Sequence, residues 1–208
     1  MAQKFLSLAA LLLLPLTLRA ADPASRPAAG DDTTPLGLIR SNTDSVAAGG
    51  ATAARSRMSV QNPAFNDFAN QLAALQAASA KLNAAVAAQW GPTAAADLSH
   101  ALGSVAPSDA DTATITTTDD HAEIHWKYAK TPTFLILVAG HWKFDLDRML
   151  ASMDAPTLAK TQTYYTRLTT VIDSLTQQYH NGDFKSADDL TRHARLAVEK
   201  LAASSESP

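Results

Sequence analysis

The chain has 208 residues, a net charge of −3 at pH 7 and no cysteine. This length is enough for one domain with a substantial hydrophobic core, whereas two domains would both be small. Without cysteine, the chain cannot form disulfides, use a thiolate nucleophile, bind a metal through sulfur or carry a lipid on cysteine. Basic residues neither cluster nor alternate with aromatic residues, so we expect no nucleic-acid partner.

The first 20 residues have the three parts of a secretory signal peptide, which are a charged tip, an apolar run and small residues for cleavage. Lys4 supplies the charge, and the apolar run ends at Leu18, too short to cross ~30 Å of hydrocarbon comfortably. We therefore predict a signal peptide over residues 1–20, with an uncleaved anchor as the alternative. The mature protein would be periplasmic or extracellular, without a transmembrane span, and would carry a net charge of −5.

Residues 21–33 are rich in Pro, Ala, Gly and Asp, which predicts a disordered linker. Thr34-Pro35 is then a helix-start signal, and Gly49-Gly50 ends that helix. A short helix is expected over residues 51–58.

Asn62-Pro63 repeats the start signal and precedes the strongest helical pattern in the chain. Its stripe at steps of three and four consists of Phe65, Phe68, Leu72, Leu75, Ser79, Leu82, Val86 and Trp90. Ser79 interrupts the apolar seam, and alanines fill the intervening positions, so packing within the chain is favoured over a coiled coil. A brief helix over residues 94–102 follows.

Residues 112–146 alternate as strands and predict a four-stranded antiparallel meander, with turns at Asp119-Asp120 and Ala139-Gly140. Residues 133–138 are apolar on both faces, which predicts a central strand that is covered above and below. The neighbouring strands alternate, and their aromatic residues share the inner face. We therefore predict an α+β domain over residues 34–150, with the long helix packed on the meander.

The C-terminal part, residues 151–202, predicts a helical hairpin that packs on the domain or extends it. Asn181-Gly182 ends its first helix, and Ser186 with Asp189 resembles a capping box at the start of the second. The hairpin is expected either to cover the second face of the central strand or to pair with another protein. Residues 203–208 are predicted to be a disordered tail.

The order of these elements resembles the nuclear transport factor two-like superfamily, a cystatin-like cone fold shared with ketosteroid isomerase and many exported bacterial proteins. The resemblance covers about residues 34–150 and includes Trp142-Lys143-Phe144-Asp145 in the last hairpin. Members often have Gly-Asp after the first helix, a motif that Gly49-Gly50 matches by half. The resemblance implies a pocket between sheet and helices that is catalytic, ligand-binding or filled, and the fold does not choose among these.

An acid–base enzyme of the ketosteroid-isomerase type is one functional hypothesis. Such an enzyme needs titratable side chains that face its pocket, and Tyr128 is the only titratable residue on the predicted inner face. We therefore assign no catalytic residue and no cofactor, and a non-enzymatic protein is favoured.

Binding of a divalent metal by His121, Glu123 and His125 is a second hypothesis, because all three lie on the outer face of one predicted strand. Neighbours two apart have α-carbons ~6.6 Å from each other, so adjacent members can share an ion. His121 and His125 are ~13 Å apart, too far for all three to bind one ion. A solvated polar face is the favoured interpretation.

The preferred hypothesis is an exported, non-enzymatic module that binds a small apolar ligand or a partner protein. Its candidate ligand-binding residues are the inward aromatic residues Trp126, Tyr128, Trp142 and Phe144. The alternative is that these side chains pack as a core beneath the long helix. The sequence leaves the oligomeric state open.

Overall fold

The computed structural model describes residues 32–104, 107–127 and 131–205. The predicted signal peptide, the linker up to residue 31, Tyr128 and residues 206–208 lie outside the described residues.

Helices and one sheet make up these ranges, which confirms the predicted α+β class. The helices are α1 (Pro35–Ser56), α2 (Asn66–Trp90), α3 (Pro92–Ala101), α4 (Leu146–Leu150), α5 (Ala155–His180) and α6 (Ala187–Ser205). The strands are β1 (Met58–Ser59), β2 (Thr114–Thr118), β3 (His121–His125), β4 (Thr133–Val138) and β5 (His141–Asp145). Within these ranges, no helix combines the length and hydrophobicity needed to cross a membrane.

The sheet has five strands in the order β1-β5-β4-β3-β2 and is mixed. Strands β2 to β5 pair antiparallel in succession, while β1 pairs parallel to β5 through Met58 opposite Phe144. The prediction of a four-stranded antiparallel meander is therefore wrong. The sequence conceals β1 because a strand of two residues has no alternation to detect.

The two faces of the sheet differ in how well they are covered. The inner face is buried, with Ile124 and Leu135 at 0% exposure. On the outer face of β4, Phe134 and Ile136 are half-buried and Val138 is 37% exposed. The prediction that this strand is covered on both faces is therefore wrong, because the C-terminal hairpin packs elsewhere.

Helix α1 begins as predicted, with the Thr34 hydroxyl accepting a hydrogen bond from the Gly37 N–H at 2.9 Å. Gly50 has φ 61° and ψ −149°, a conformation that is essentially restricted to glycine. The chain bends there and then continues as helix to Ser56. The predicted stop is thus a kink between two helical segments.

At both ends, the described structure extends past a predicted boundary. Asp32 lies in the predicted linker, yet its backbone carbonyl accepts a hydrogen bond from the Trp142 N–H at 2.7 Å. Helix α6 continues to Ser205, past the predicted boundary at residue 202.

The C-terminal hairpin packs on helices α2 and α3, with α5 against α2 and α6 against α3. The ring of Tyr165 lies 5.4 Å from that of Phe68, and the Tyr179 hydroxyl donates to the Ala85 carbonyl at 3.0 Å. At the start of α6, the Ser186 hydroxyl accepts from the Asp189 N–H and the Asp189 carboxylate accepts from the Lys185 N–H. The first bond is that of the predicted capping box, but the second goes to Lys185 and not to the N–H of Ser186, so the box is formed only in part.

We predict that Gly50→Ala destabilises the protein by roughly 1–3 kcal/mol, because alanine is strained at this backbone conformation. Urea unfolding measures the change in the free energy of unfolding. The control is Ala48→Gly at an exposed helical position nearby, which reports helix propensity alone. An unchanged stability of Gly50→Ala would contradict the kink.

Burial raises the pKa of the Tyr165 hydroxyl above its ordinary value. In the unfolded chain this hydroxyl ionises near pH ~10, whereas in the folded chain it stays neutral. The free energy of unfolding is therefore unaffected by this group below that pH and decreases above it. We predict that Tyr165→Phe reduces this loss by up to ~1.4 kcal/mol per pH unit.

Urea unfolding between pH 8 and 11 measures the slope of stability against pH. Tyr179→Phe is the control, because the Tyr179 side chain is only partly buried and its effect should be smaller. Equal slopes in the parent protein and in Tyr165→Phe would show that this hydroxyl does not govern alkaline stability.

Candidate functional site

Three of the four predicted ligand-binding aromatic residues belong to the hydrophobic core. Trp126 and Trp142 are each 5% exposed and Phe144 is 3% exposed. The Trp126 indole N–H donates to the Thr133 hydroxyl at 2.8 Å, so its polar atom is satisfied within the protein. Their burial favours a packing role, and the fourth candidate, Tyr128, lies outside the described residues.

The predicted metal-binding residues pair with separate partners on the outer face of the sheet. His121 contacts Asp120 at 2.6 Å, and His125 contacts Glu123 at 2.8 Å. Glu123 also accepts a hydrogen bond from Arg148 at 3.3 Å. The Arg148 guanidinium in turn lies 4.2 Å from the centre of the Phe134 ring.

His141, at the start of β5, contacts Asp32 at 2.7 Å. Each of these three histidines is therefore held by a different carboxylate. Among the residues that the structure describes, no three His, Asp or Glu side chains are placed to hold one metal ion. His121, Glu123 and His125 are not brought together as a three-ligand set.

We predict that zinc titration of the purified protein shows no site of micromolar affinity at His121, Glu123 and His125. Isothermal titration calorimetry measures the binding, and the His125→Ala variant is the matched control. A micromolar signal that His125→Ala abolishes would restore the metal hypothesis.

A groove lies beside the kink of α1, where this helix meets α2 and the edge of the sheet. Its volume is about 570 Å³. The described residues that line it are Ala51, Thr52, Arg55, Ser56, Met58, Asn70, Ala73 and Lys143. Gly50 kinks α1 immediately before Ala51, which lines the groove, and β1 at the edge of the sheet follows the end of this helix.

The charged atoms of the groove are both cationic. Arg55 donates to the side-chain oxygens of Asn66 at 3.0 Å and Asn70 at 3.3 Å, and to the Met58 carbonyl at 3.5 Å. These acceptors are neutral, so the charge of Arg55 is not compensated. Lys143 is half-buried, and within the described chain neither cation forms an ion pair.

The neighbouring Arg57 has a different role. It is 7% exposed and donates to the Leu38 carbonyl at 3.2 Å and to the Ser41 and Ser45 hydroxyls at 3.1 and 2.9 Å. Burial lowers the pKa of its guanidinium, and the charge of Asp32 opposes that shift. Arg57 therefore fastens the end of α1 to its own first turns and is not available to a ligand.

Sequence reasoning missed this groove because no motif connects its two cations. Arg55 and Lys143 are 88 positions apart in the chain. The parallel pairing of β1 with β5 brings them together, and two residues of strand give no local signal. The only sequence signal near the groove was Gly49-Gly50, which indicates where α1 bends.

No family model, curated protein or solved structure matches this chain.

Proposed function

We propose that this chain is an exported, non-enzymatic α+β domain that binds a small amphiphilic anion in the groove beside the α1 kink. The ligand would carry a carboxylate or a similar group and a short apolar tail. The convergence of Arg55 and Lys143 in a groove without an acidic side chain among its described lining residues carries this proposal.

The charge of the groove supports an anionic ligand. Some basic side chains of the protein have carboxylate partners, such as Arg40 with Asp111 at 2.8 Å and Arg192 with Asp189 at 2.6 Å. Arg55 and Lys143 have none in the described chain, so an anion entering the groove meets two cations without first displacing a bound carboxylate. Each exposed contact of this kind contributes up to ~1 kcal/mol, so we expect modest affinity.

The apolar part of the wall supports a tail on that anion. Ala51 is exposed on the wall of the groove, whereas Met58 at 3% and Ala73 at 1% exposure close its base. Covering apolar surface contributes ~25 cal/mol per Å², which favours a ligand with several methylene groups. This narrows the predicted apolar ligand to an amphiphilic one.

A non-enzymatic role is supported by the inner face of the sheet. The described residues on that face are apolar or threonine, so they offer no acid or base to a substrate. Export and membership of the nuclear transport factor two-like superfamily are parts of the same proposal. They rest on the pattern of residues 1–20 and on the order of a bent helix, a long helix and strands that end in Trp142-Lys143-Phe144-Asp145.

The experiment is a titration of the isotope-labelled protein with hexanoate, followed by amide chemical shifts. We predict saturable shifts that map to Arg55, Met58 and Lys143. Lys143→Gln should weaken hexanoate binding by ~2- to 5-fold, because it removes one charge contact and no hydrogen bond of the folded protein.

The matched control is Lys81→Gln, an exposed lysine on α2 away from the groove, which should bind hexanoate as the parent protein does. Acetate tests the apolar tail and 1-hexanol tests the charge, and both should bind more weakly than hexanoate. Equal affinities for 1-hexanol and hexanoate would refute an anion site. An equal loss of hexanoate affinity in Lys143→Gln and Lys81→Gln would refute it as well.

A further inference from the structure

Strand β2 lies at one edge of the sheet, and among the described strands it pairs with β3 alone. All of its residues are exposed except Ile115, which is half-buried. An edge strand presents unpaired N–H and C=O groups that can pair with a strand of another molecule. Charged residues and proline usually prevent such pairing, and β2, with the sequence TITTT, has neither. This edge is therefore open to a further strand.

The register of the sheet determines which backbone groups of β2 are free. The Leu137 N–H donates to the Asp120 carbonyl at 2.7 Å, so the backbone groups of Asp120 face β4. Because this direction alternates along a strand, the next residue, His121, and every second residue after it face β2. Their partners on β2 are Thr118, Thr116 and Thr114. The N–H and C=O groups of Ile115 and Thr117 therefore point to the open edge.

A second copy of β2 matches these free groups. In an antiparallel pair centred on Thr116, Ile115 faces Thr117 of the second copy and exchanges N–H to C=O hydrogen bonds with it in both directions. The two-fold axis repeats this exchange on the other side of Thr116. Thr116 itself faces Thr116 of the second copy, and cross-strand threonine pairs stabilise sheets. The edge is thus complementary to itself.

The charges beside β2 also fit a second copy. Arg40 lies near the start of β2 in an ion pair with Asp111 at 2.8 Å, and its side chain is 46% exposed. Asp119, in the turn after β2, has no ion pair among the described residues. The antiparallel pair brings Asp119 of the second copy opposite Ala113, two residues from Asp111. Arg40 can then attract both carboxylates, and the symmetry repeats this contact at the other end.

We propose that β2 is a self-association edge, at which two copies of this chain join antiparallel β2 strands into one continuous sheet. Strand β1 lies at the opposite edge, so the groove of each copy stays open in the dimer. A contact along single strands covers less than the ~1,200 Å² of stable complexes, so we expect weak association, with a dissociation constant between ~10 μM and ~1 mM.

The first test is disulfide cross-linking, which the absence of cysteine from the chain makes specific. Thr116→Cys places one thiol of each copy beside the two-fold axis, where facing α-carbons lie ~4.5 Å apart, within the range of a disulfide. The control is Thr118→Cys, also exposed on the same face, whose two copies lie ~13 Å apart along the strands. Mild oxidation should yield covalent dimers of Thr116→Cys at least ~10-fold faster than dimers of Thr118→Cys. Equal rates, or faster dimers of Thr118→Cys, would overturn this pairing.

The second test measures self-association by sedimentation equilibrium at low salt. Thr116→Lys places like charges opposite each other across the axis, so the dissociation constant of the dimer should rise at least ~5-fold. The control is Thr114→Lys, which faces Thr118 of the second copy and should associate no more weakly than the parent protein. A parent protein that stays monomeric at ~1 mM, or equal losses in the two variants, would overturn the proposal and leave this edge to a strand of a different protein.

Discussion

The burial of α2 between other helices is the constraint on which the rest of the structure depends. Its buried residues, from Phe68 to Val86, cover about half of the helix circumference. Helices α1, α3 and α5 all pack against it, and the buried alanines Ala69, Ala73 and Ala80 permit close approach. A helix buried this broadly fixes the positions of its neighbours, because each of them must cover a different part of one surface.

That constraint explains why the outer face of the sheet remains partly open. The C-terminal hairpin covers α2 and α3, so no helix pair is left for the second face of β4. Local ion pairs occupy the outer face instead, with Glu123 between His125 and Arg148. There the charge of Arg148 is compensated by Glu123. Arg55 and Lys143 at the groove have no carboxylate partner in the described chain. The groove thus differs in local charge balance from the outer face of the sheet.

The kink at Gly50 connects the helical layer to the groove. The bend at Gly50 lies six residues before the end of α1, and β1 at the edge of the sheet follows that end. Met58 and Ser59 can then pair with β5, and this pairing brings Arg55 close to Lys143. The kink, the fifth strand and the cationic groove therefore adjoin one another in the fold.

Local chemistry in the sequence determined most of the elements. Caps at Thr34 and Ser186, the two-residue turn at Ala139-Gly140 and the stripe of α2 depend on residues a few positions apart, so each was predictable. The inner face of the sheet followed from alternation, and its aromatic residues proved to be core.

Only the tertiary structure decided which surfaces meet. The sequence shows that the C-terminal helices have an apolar stripe, but several surfaces could cover it, and the choice of α2 and α3 depends on the whole packing arrangement. The strand Met58–Ser59 is too short to carry a pattern, and the cations of the groove come from distant segments. Contacts between distant residues leave no periodic trace in the chain, which is the physical reason that the candidate sites escaped prediction.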